Sequence, residues 1–154
     1  MNGMLTKEIA QEQLNHIYHA INRAYDNRQT TKRWALVVWT AIVAGMLSGK
    51  IILGFYEGLL VVNSAIIVFW IYEGISGAYG IFAHRQAVKL ERLLTSENLE
   101  TADASEYMHI QAYERLDLKE KIRAYLYALF KMETVFIFYM FLSVLSLVIL
   151  WATA

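Results

Sequence analysis

The 21 residues Thr134–Ala154 contain no charged side chain. A helix of this length extends about 30 Å, the thickness of the hydrocarbon core of a bilayer. Two other apolar runs precede it: residues 34–56, interrupted by Lys50, and residues 59–83, interrupted by Glu73. The sequence therefore predicts three transmembrane helices, over residues 34–56, 59–83 and 134–153, with a turn at residues 54–58.

Composition favours this interpretation over the alternative, a soluble bundle of very apolar helices. Of the 154 residues, 57% are hydrophobic and only 18% are charged, which is unusual for a soluble domain of this size. No internal repeat is apparent, so we expect residues 1–154 to form a single membrane domain. No signal peptide is predicted. The chain has no cysteine, which excludes disulfides and thiolate metal ligands, and it has no proline.

Lysine and arginine residues are distributed unevenly around the predicted spans. Of the 14 basic residues, 13 lie in residues 1–33 or 84–131, and the exception is Lys50. The positive-inside rule places these two segments in the cytoplasm. It predicts a multi-pass protein of the inner (cytoplasmic) membrane with its N-terminus inside and its C-terminus outside. Lys50 then lies near the outer surface, where its side chain can snorkel, and Trp34 and Trp151 fall at opposite interfaces.

Apolar residues also repeat at helical spacing outside the predicted spans. They form three stripes: Ala10, Leu14, Ile17, Ile21 and Ala24; Ala83, Ala87, Leu90 and Leu94; and Leu118, Ile122, Tyr125, Leu129, Met132 and Phe136. Alternating spacings of three and four residues are typical of packed helices. We expect helices over residues 5–33 and 84–131 that continue into the spans and pack as an antiparallel cytoplasmic bundle. A loop is predicted at residues 95–104, followed by a capping box at Asp103 and Glu106 and one uninterrupted helix over residues 105–153.

Glu73 is the acidic residue that lies deepest within a predicted span. Its distance of about 15 Å from the cytoplasmic end of that span predicts a position near the middle of the bilayer. A charged group there is costly and usually faces protein or water. Asn63, Trp70 and Gly77 share its side of the helix at 100° per residue. Three interpretations follow: Glu73 hydrogen-bonded inside the bundle, a stripe lining a pore or proton path, or a ligand contact.

Small residues recur every four positions in the first two predicted spans. They are Ala41, Gly45 and Gly49 in the first span, and Gly74 and Ala78 in the second. This spacing lets helix backbones approach closely in lipid. We expect these residues to close a tight hairpin between the two spans and, secondarily, to serve subunit contacts. The alternative is that glycine and alanine are simply common in membrane helices.

Few residues are arranged for chemistry. Glu12, His16 and His19 lie on one helical face, and Glu106 with His109 has the Glu-x-x-His spacing of di-iron bundles. Such bundles need two of these motifs and further carboxylates, so hydrogen-bonded or solvated histidines are favoured over a metal site. No phosphate-binding glycine loop, Ser/His/Asp set or zinc signature occurs. Basic residues alternate with acidic ones instead of forming a nucleic-acid-binding stripe. We predict no enzyme activity, no cofactor, no metal and no nucleic-acid partner.

The layout of the chain resembles that of the SLATT family, the SMODS- and SLOG-associating two-transmembrane effectors of bacteria. The matching parts are a polar N-terminal helix at residues 5–33, a two-span hairpin at residues 34–83 and a helical cytoplasmic part at residues 84–131. The third run, residues 134–154, is additional to that two-span core. The resemblance implies a pore-forming or membrane-disrupting effector in antiviral (anti-phage) or other conflict defence, triggered by a nucleotide signal or an infection cue.

Two functions follow from the predicted architecture. The first is an oligomeric inner-membrane pore or membrane-disrupting effector gated through its cytoplasmic bundle, which requires a polar stripe facing a shared axis. The second is a structural or accessory subunit that scaffolds a membrane complex, which requires that Glu73 find its partners within one protomer. Partners in either case are the lipid bilayer, further copies of the chain, and a cytoplasmic protein or nucleotide signal. An enzyme or metalloprotein is the third alternative and requires the His/Glu pairs to converge.

Overall fold

The computed structural model describes residues 6–95 and 117–153, and α-helix is the only regular secondary structure in these residues. In chain order the helices are α1 (Lys7–Leu47), α2 (Phe55–Leu94), α3 (Leu118–Phe130) and α4 (Glu133–Thr153). The prediction of an all-α protein is confirmed.

Helices α1 and α2 form a long antiparallel hairpin. The Tyr18 hydroxyl donates a hydrogen bond to Glu91 at one end, and Met46 lies against Gly58 at the other. The hydrogen bond to Glu91 raises the pKa of Tyr18. Helix α1 passes from a polar segment into an apolar one without a break, and α2 passes from an apolar segment into a polar one, as the sequence predicts. We call the part of α1 before Trp34 and the part of α2 after Glu73 the polar half of the hairpin.

The core of the polar half is formed by the predicted stripes. Its buried members are Ala10, Ile17, Ala83, Ala87 and Leu90, with Leu14, Ile21 and Leu94 packed against them. Alternating three- and four-residue spacing brings these side chains to facing sides of two antiparallel helices. The first two stripes are therefore packed against each other, as predicted.

The turn between α1 and α2 differs from the prediction. Helix α1 ends at Leu47, and Gly49 follows in the left-handed region (φ 70°), where glycine carries no steric penalty. The amide groups of Lys50 and Ile51 each donate to the Gly45 carbonyl at 3.0 Å. The turn thus occupies residues 48–54 instead of 54–58, and the prediction of a helical span over residues 34–56 is wrong beyond Leu47.

Two helices, Phe55–Leu94 and Glu133–Ala152, are long and apolar enough to cross a membrane. The prediction of three such helices is therefore wrong. The apolar part of α1, residues 34–47, extends only about 21 Å as a helix, less than the hydrocarbon core of about 30 Å. In each of the two helices only 28% of the most apolar stretch is buried within the protein. Most of their apolar surface therefore faces outward.

The apolar half of the fold is a three-helix unit in which α4 packs on the α1–α2 hairpin. Its buried core contains Ala35, Val43, Val62, Ile66, Val135, Tyr139 and Leu142. One polar chain crosses it: the Trp39 indole N–H donates to Ser146 Oγ at 2.7 Å, and that hydroxyl donates to the Leu142 carbonyl at 2.7 Å. Both polar side chains are thereby satisfied inside an apolar environment.

Helix α3 is separate from α4, so the predicted uninterrupted helix is broken. The break falls at Lys131 and Met132. The third stripe is buried at Leu129 and half-buried at Tyr125, but Leu118 and Ile122 are exposed, so packing is wrongly predicted at its beginning. Thr95 caps the end of α2, while the rest of the predicted loop, the capping box and residues 105–116 lie outside the described residues.

Gly74 and Gly80 provide a matched test of how α2 is packed. A Cβ atom at Gly74 would clash with the Leu129 side chain, whose Cγ would lie at 2.8 Å, whereas at Gly80 the nearest atom is Ala24 Cβ at 3.4 Å. Both substitutions to alanine gain about 1 kcal/mol of helix propensity, so their difference isolates the clash.

We expect Gly74→Ala to be less stable than Gly80→Ala by about 1–3 kcal/mol, the usual cost of overpacking. Unfolding of the detergent-solubilised variants, followed by circular dichroism, measures this difference. Equal stability of the two variants would show that α3 does not pack on Gly74.

Candidate functional site

Glu73 lies at the centre of a buried cluster of charged side chains. Its side chain is fully buried, and its Oε1 atom lies 3.3 Å from Arg28 Nε and 3.4 Å from Lys32 Nζ. Arg28 and Lys32 are one turn apart on α1, so both reach the same point on α2. We call these three residues the charge cluster.

Helix α4 completes the surroundings of the charge cluster. Arg28 Nη2 donates to Thr134 Oγ1 at 3.4 Å, and Lys32 Nζ lies 5.7 Å from the centroid of the Phe138 ring. A cation over an aromatic face is attracted by the ring quadrupole. The two basic side chains therefore connect α1 to α2 through the carboxylate and to α4 through a hydroxyl and a ring.

The charge cluster carries an excess of positive charge. Two cations face one carboxylate, and the side chains of Arg28 and Lys32 are only 14% and 17% exposed. The hydroxyl of Tyr139 lies beside the same carboxylate. Loss of the carboxylate would leave two largely buried cations without compensation.

Glu73 lies at the edge of the apolar half and not in its middle. It is 18 residues, or about 27 Å, from the start of α2. The side chains around it come from the polar half of α1 and from Thr134 in the first turn of α4. Glu73 is therefore level with the boundary between polar and apolar residues on α1 and α4, and its position near the middle of a bilayer stays a prediction.

The predicted polar stripe on α2 is divided between two environments. Asn63 and Trp70 line a groove of about 200 Å³ between α2 and α4, together with Ser143. The Asn63 side chain donates to the Leu59 carbonyl of its own helix at 2.8 Å, and the Trp70 indole N–H donates to the Leu129 carbonyl of α3 at 3.3 Å.

Gly77, like Glu73, is enclosed by the protein. A Cβ atom there would lie 3.1 Å from Ala128 Cβ and 4.0 Å from Arg28 Nε. The small side chain thus leaves room both for α3 and for the guanidinium group beside Glu73.

The small residues serve contacts other than those predicted. Ala41 is exposed, Gly45 accommodates the Ile51 side chain of the turn, and Gly49 lies in the turn itself. Gly74 and Ala78 are buried, and Gly74 faces Leu129 of α3. The expectation that the two sets close the α1–α2 hairpin together is therefore wrong.

The predicted His/Glu pairs do not build a site within the described residues. His16 Nε2 lies 3.8 Å from Glu12 Oε1, with both side chains largely exposed. In residues 6–95 and 117–153 no group of three or more His, Asp or Glu side chains is placed to hold a metal ion. Glu106 and His109 lie outside the described residues.

Sequence reasoning missed Arg28 and Lys32 as partners of Glu73 because it misplaced the turn. In an antiparallel hairpin, residues equally far from the centre of the turn face each other. The observed turn is centred on position 51, so Glu73 faces position 29 (51 − 22), next to Arg28. A turn centred on position 56 would place Glu73 opposite position 39 (56 − 17), in the apolar run. The sequence signal for the earlier turn was Gly49, because glycine often follows the last residue of a helix.

Comparisons of the chain with protein-family models, with curated proteins and with solved structures found no match. The resemblance to SLATT effectors stays a prediction.

The excess positive charge of the cluster predicts unequal effects of substitutions within it. Glu73→Leu leaves two cations unpaired and should destabilise the protein by about 3–5 kcal/mol, the usual cost of breaking a buried pair. Lys32→Met keeps the Arg28–Glu73 pair and should cost much less.

Thermal unfolding of the purified variants in one detergent measures both effects. Each substitution replaces a charged side chain by an apolar one of similar size, so the comparison tests the loss of charge and not the loss of volume. A Lys32→Met variant as unstable as Glu73→Leu would show that Arg28 alone does not compensate Glu73, which would contradict an excess of positive charge in the cluster.

Proposed function

We propose that the protein is an integral membrane protein whose apolar half lies in a lipid bilayer. One observation carries this proposal: large apolar side chains are exposed in a continuous belt around α1, α2 and α4. Val37, Val68 and Phe141 are 57%, 63% and 61% exposed, for example. Soluble monomers do not expose contiguous apolar surface on this scale.

Exposed aromatic residues lie at both ends of the belt. Trp34 and Tyr72 are 59% and 56% exposed next to the charge cluster, and Tyr56 and Trp151 are 82% and 76% exposed at the opposite end. Trp and Tyr are enriched at membrane–water interfaces because their rings are apolar with a polar edge. The separation of Tyr56 and Tyr72 along α2 is about 24 Å, which suits the hydrocarbon core. In this arrangement the apolar part of α1 and the turn after it cross the bilayer together beside α2 and α4.

The charge distribution supports an orientation with the polar half in the cytoplasm. Apart from Lys50 in the turn, every described basic residue lies in the polar half, at the charge cluster or in α3 and the α3–α4 break. The positive-inside rule assigns that side to the cytoplasm. The charge cluster then lies at the inner interface.

We propose further that the protein acts as a structural or accessory subunit of a membrane assembly. Glu73 finds both of its cationic partners within one protomer, which is what this function requires. The charge cluster joins the membrane helices to the cytoplasmic hairpin as one unit. Such a unit is suited to holding partners on both sides of the inner interface, and it requires no catalytic group.

One observation favours a second function, the oligomeric pore or membrane-disrupting effector. The groove that contains Asn63 and Ser143 opens on the outside of the protomer within the apolar belt. In a ring of protomers this polar wall would face the shared axis, and Glu73 would not line it. The role in bacterial defence and the nucleotide signal come from the SLATT resemblance alone.

Reporter fusions test the orientation. An enzyme active only outside the inner membrane, fused after Ala154, should be active, and the same enzyme fused after Ser96 should be silent. A cytoplasm-specific reporter at the same two positions should show the opposite pattern and serves as the control. Activity of the external reporter after Ser96 would contradict the topology.

Ion flux through liposomes separates the two functions. For the subunit function we expect no flux from reconstituted wild-type protein that elutes as a folded species. For the pore function we expect flux that Asn63→Leu reduces and that Ser64→Leu, on the neighbouring exposed position, does not. Flux from the wild-type protein would overturn the subunit proposal in favour of the pore.

A further inference from the structure

Helix α3 has an exposed apolar face that nothing in the described residues covers. Leu118, Ile122, Leu126 and Phe130 recur every four residues and are 69%, 49%, 47% and 54% exposed. At 100° per residue they occupy a sector of about 120° on one side of the helix. Leu129 projects at the Leu118–Ile122 edge of this sector and packs on α2, as does Ala128, which projects about 140° from the centre of the sector. The apolar surface of α3 is therefore wider than the part that packs on α2.

The contacts of α3 place its second half at the level of Glu73. Near Gly77 of α2 lie Ala128 and Met132, and near Gly74 lie Tyr125 and Leu129. From Met132 back to Tyr125 the helix covers about 10 Å, while its contacts on α2 move from Gly77 to Gly74, away from Leu94. Helix α3 therefore does not extend the line of α4 along the polar half of α2.

The level of these contacts matches that of the proposed inner interface. Gly74 and Gly77 follow Glu73 directly on α2, and only Lys131 and Met132 separate α3 from α4. Phe130 at the end of α3 and Ile137 in the second turn of α4 are both exposed. Exposed apolar side chains therefore occur on both sides of the α3–α4 break, where the face of α3 adjoins the lipid-facing helix proposed for α4.

Charged residues flank the apolar face of α3 on its exposed side. Arg123 projects about 20° beyond Phe130 at one edge of the sector, Lys119 projects just inside that edge between Leu126 and Phe130, and both are exposed. From Asp117 to Lys131 there are four basic and two acidic residues, a net charge of +2 (4 − 2). Basic residues beside an apolar stripe are typical of helices that bind anionic lipid surfaces.

We propose that α3 is an interfacial helix that inserts its Leu118–Phe130 face into the cytoplasmic leaflet, with Lys119 and Arg123 at anionic lipid headgroups. This inference rests on the proposed membrane location of α2 and α4. The occupant of the exposed face is lipid, because the face adjoins the lipid-facing helix proposed for α4 at the same level and carries the complementary charge.

The absence of cysteine from the chain makes a direct test straightforward, since a single introduced cysteine is the only site for a thiol label. Leu126→Cys reports on the proposed face and Glu120→Cys on the charged side of the same helix. Phe141→Cys on α4 is the control in lipid, and Arg85→Cys on the polar half of α2 is the control in water. Each full-length variant carries an environment-sensitive fluorophore in liposomes that contain anionic phospholipid.

Quenching by lipids with nitroxide at shallow or deep positions, and by aqueous iodide, then measures the surroundings of each label. We expect the Leu126 label to lose most of its fluorescence to the shallow lipid quencher, and the Phe141 label to the deep one. The Glu120 and Arg85 labels should be quenched mainly by iodide. Liposomes without anionic lipid should reduce shallow quenching at Leu126 and leave Phe141 unchanged.

The outcomes separate failure of this inference from failure of the membrane proposal. If Phe141 is quenched by lipid and Leu126 is shielded from both quenchers, a protein surface covers α3, from a second copy or from this chain, and the interfacial proposal is overturned. Iodide quenching at Leu126 with lipid quenching at Phe141 overturns it as well. If neither label responds to lipid, the membrane location itself is wrong. Ile122→Cys repeats the test should Leu126→Cys fail to fold.

Discussion

The contact between Glu73 and the two cations of α1 is the constraint on which the rest of the fold depends. A buried carboxylate is tolerated only when it is paired, and its partners Arg28 and Lys32 lie on a helix that could otherwise slide along α2. A shift of one helical turn, about 5 Å, would remove one of the two cations from the carboxylate, and a shift of two turns would remove both. The charge cluster therefore restricts the register of a hairpin whose two helices are 41 and 40 residues long. Apolar contacts alone tolerate such shifts more easily, since they are less directional.

The position of the charge cluster also organises the helices that follow. Thr134 and Phe138 meet the two cations at the start of α4, which places the beginning of that helix level with Glu73. From this level α4 and the first part of α2 extend together in the same direction as the apolar part of α1. The boundary between the polar and apolar halves is thus the same on all three helices. In a bilayer, that shared boundary would coincide with the inner interface.

Glycine at two successive turns of α2 determines where α3 lies. Gly74 and Gly77 let Ala128 and Leu129 approach the α2 backbone just beyond Glu73. The same surface that admits α3 also leaves room for the Arg28 guanidinium group. A substitution in the charge cluster would therefore change the packing of α3, and a substitution in α3 would change the contacts of the cluster, because both contact the same short segment of α2. This arrangement physically connects the charge cluster, α3 and the apolar half of the fold.

The sequence by itself determined the class of the protein, through patterns that depend only on local periodicity. Uncharged runs such as residues 134–153 predicted the apolar helices, and the stripes at Ala10–Ala24 and Ala83–Leu94 predicted the packed polar half. The number of candidate spans, the turn and the surroundings of Glu73 were decided by tertiary structure. Because the turn is centred five positions earlier than predicted, Glu73 faces Arg28 instead of an apolar segment. Periodicity depends only on the spacing of residues within one helix, so the sequence shows it. Which residues face each other across a hairpin depends on the exact centre of its turn, and only the folded chain shows that.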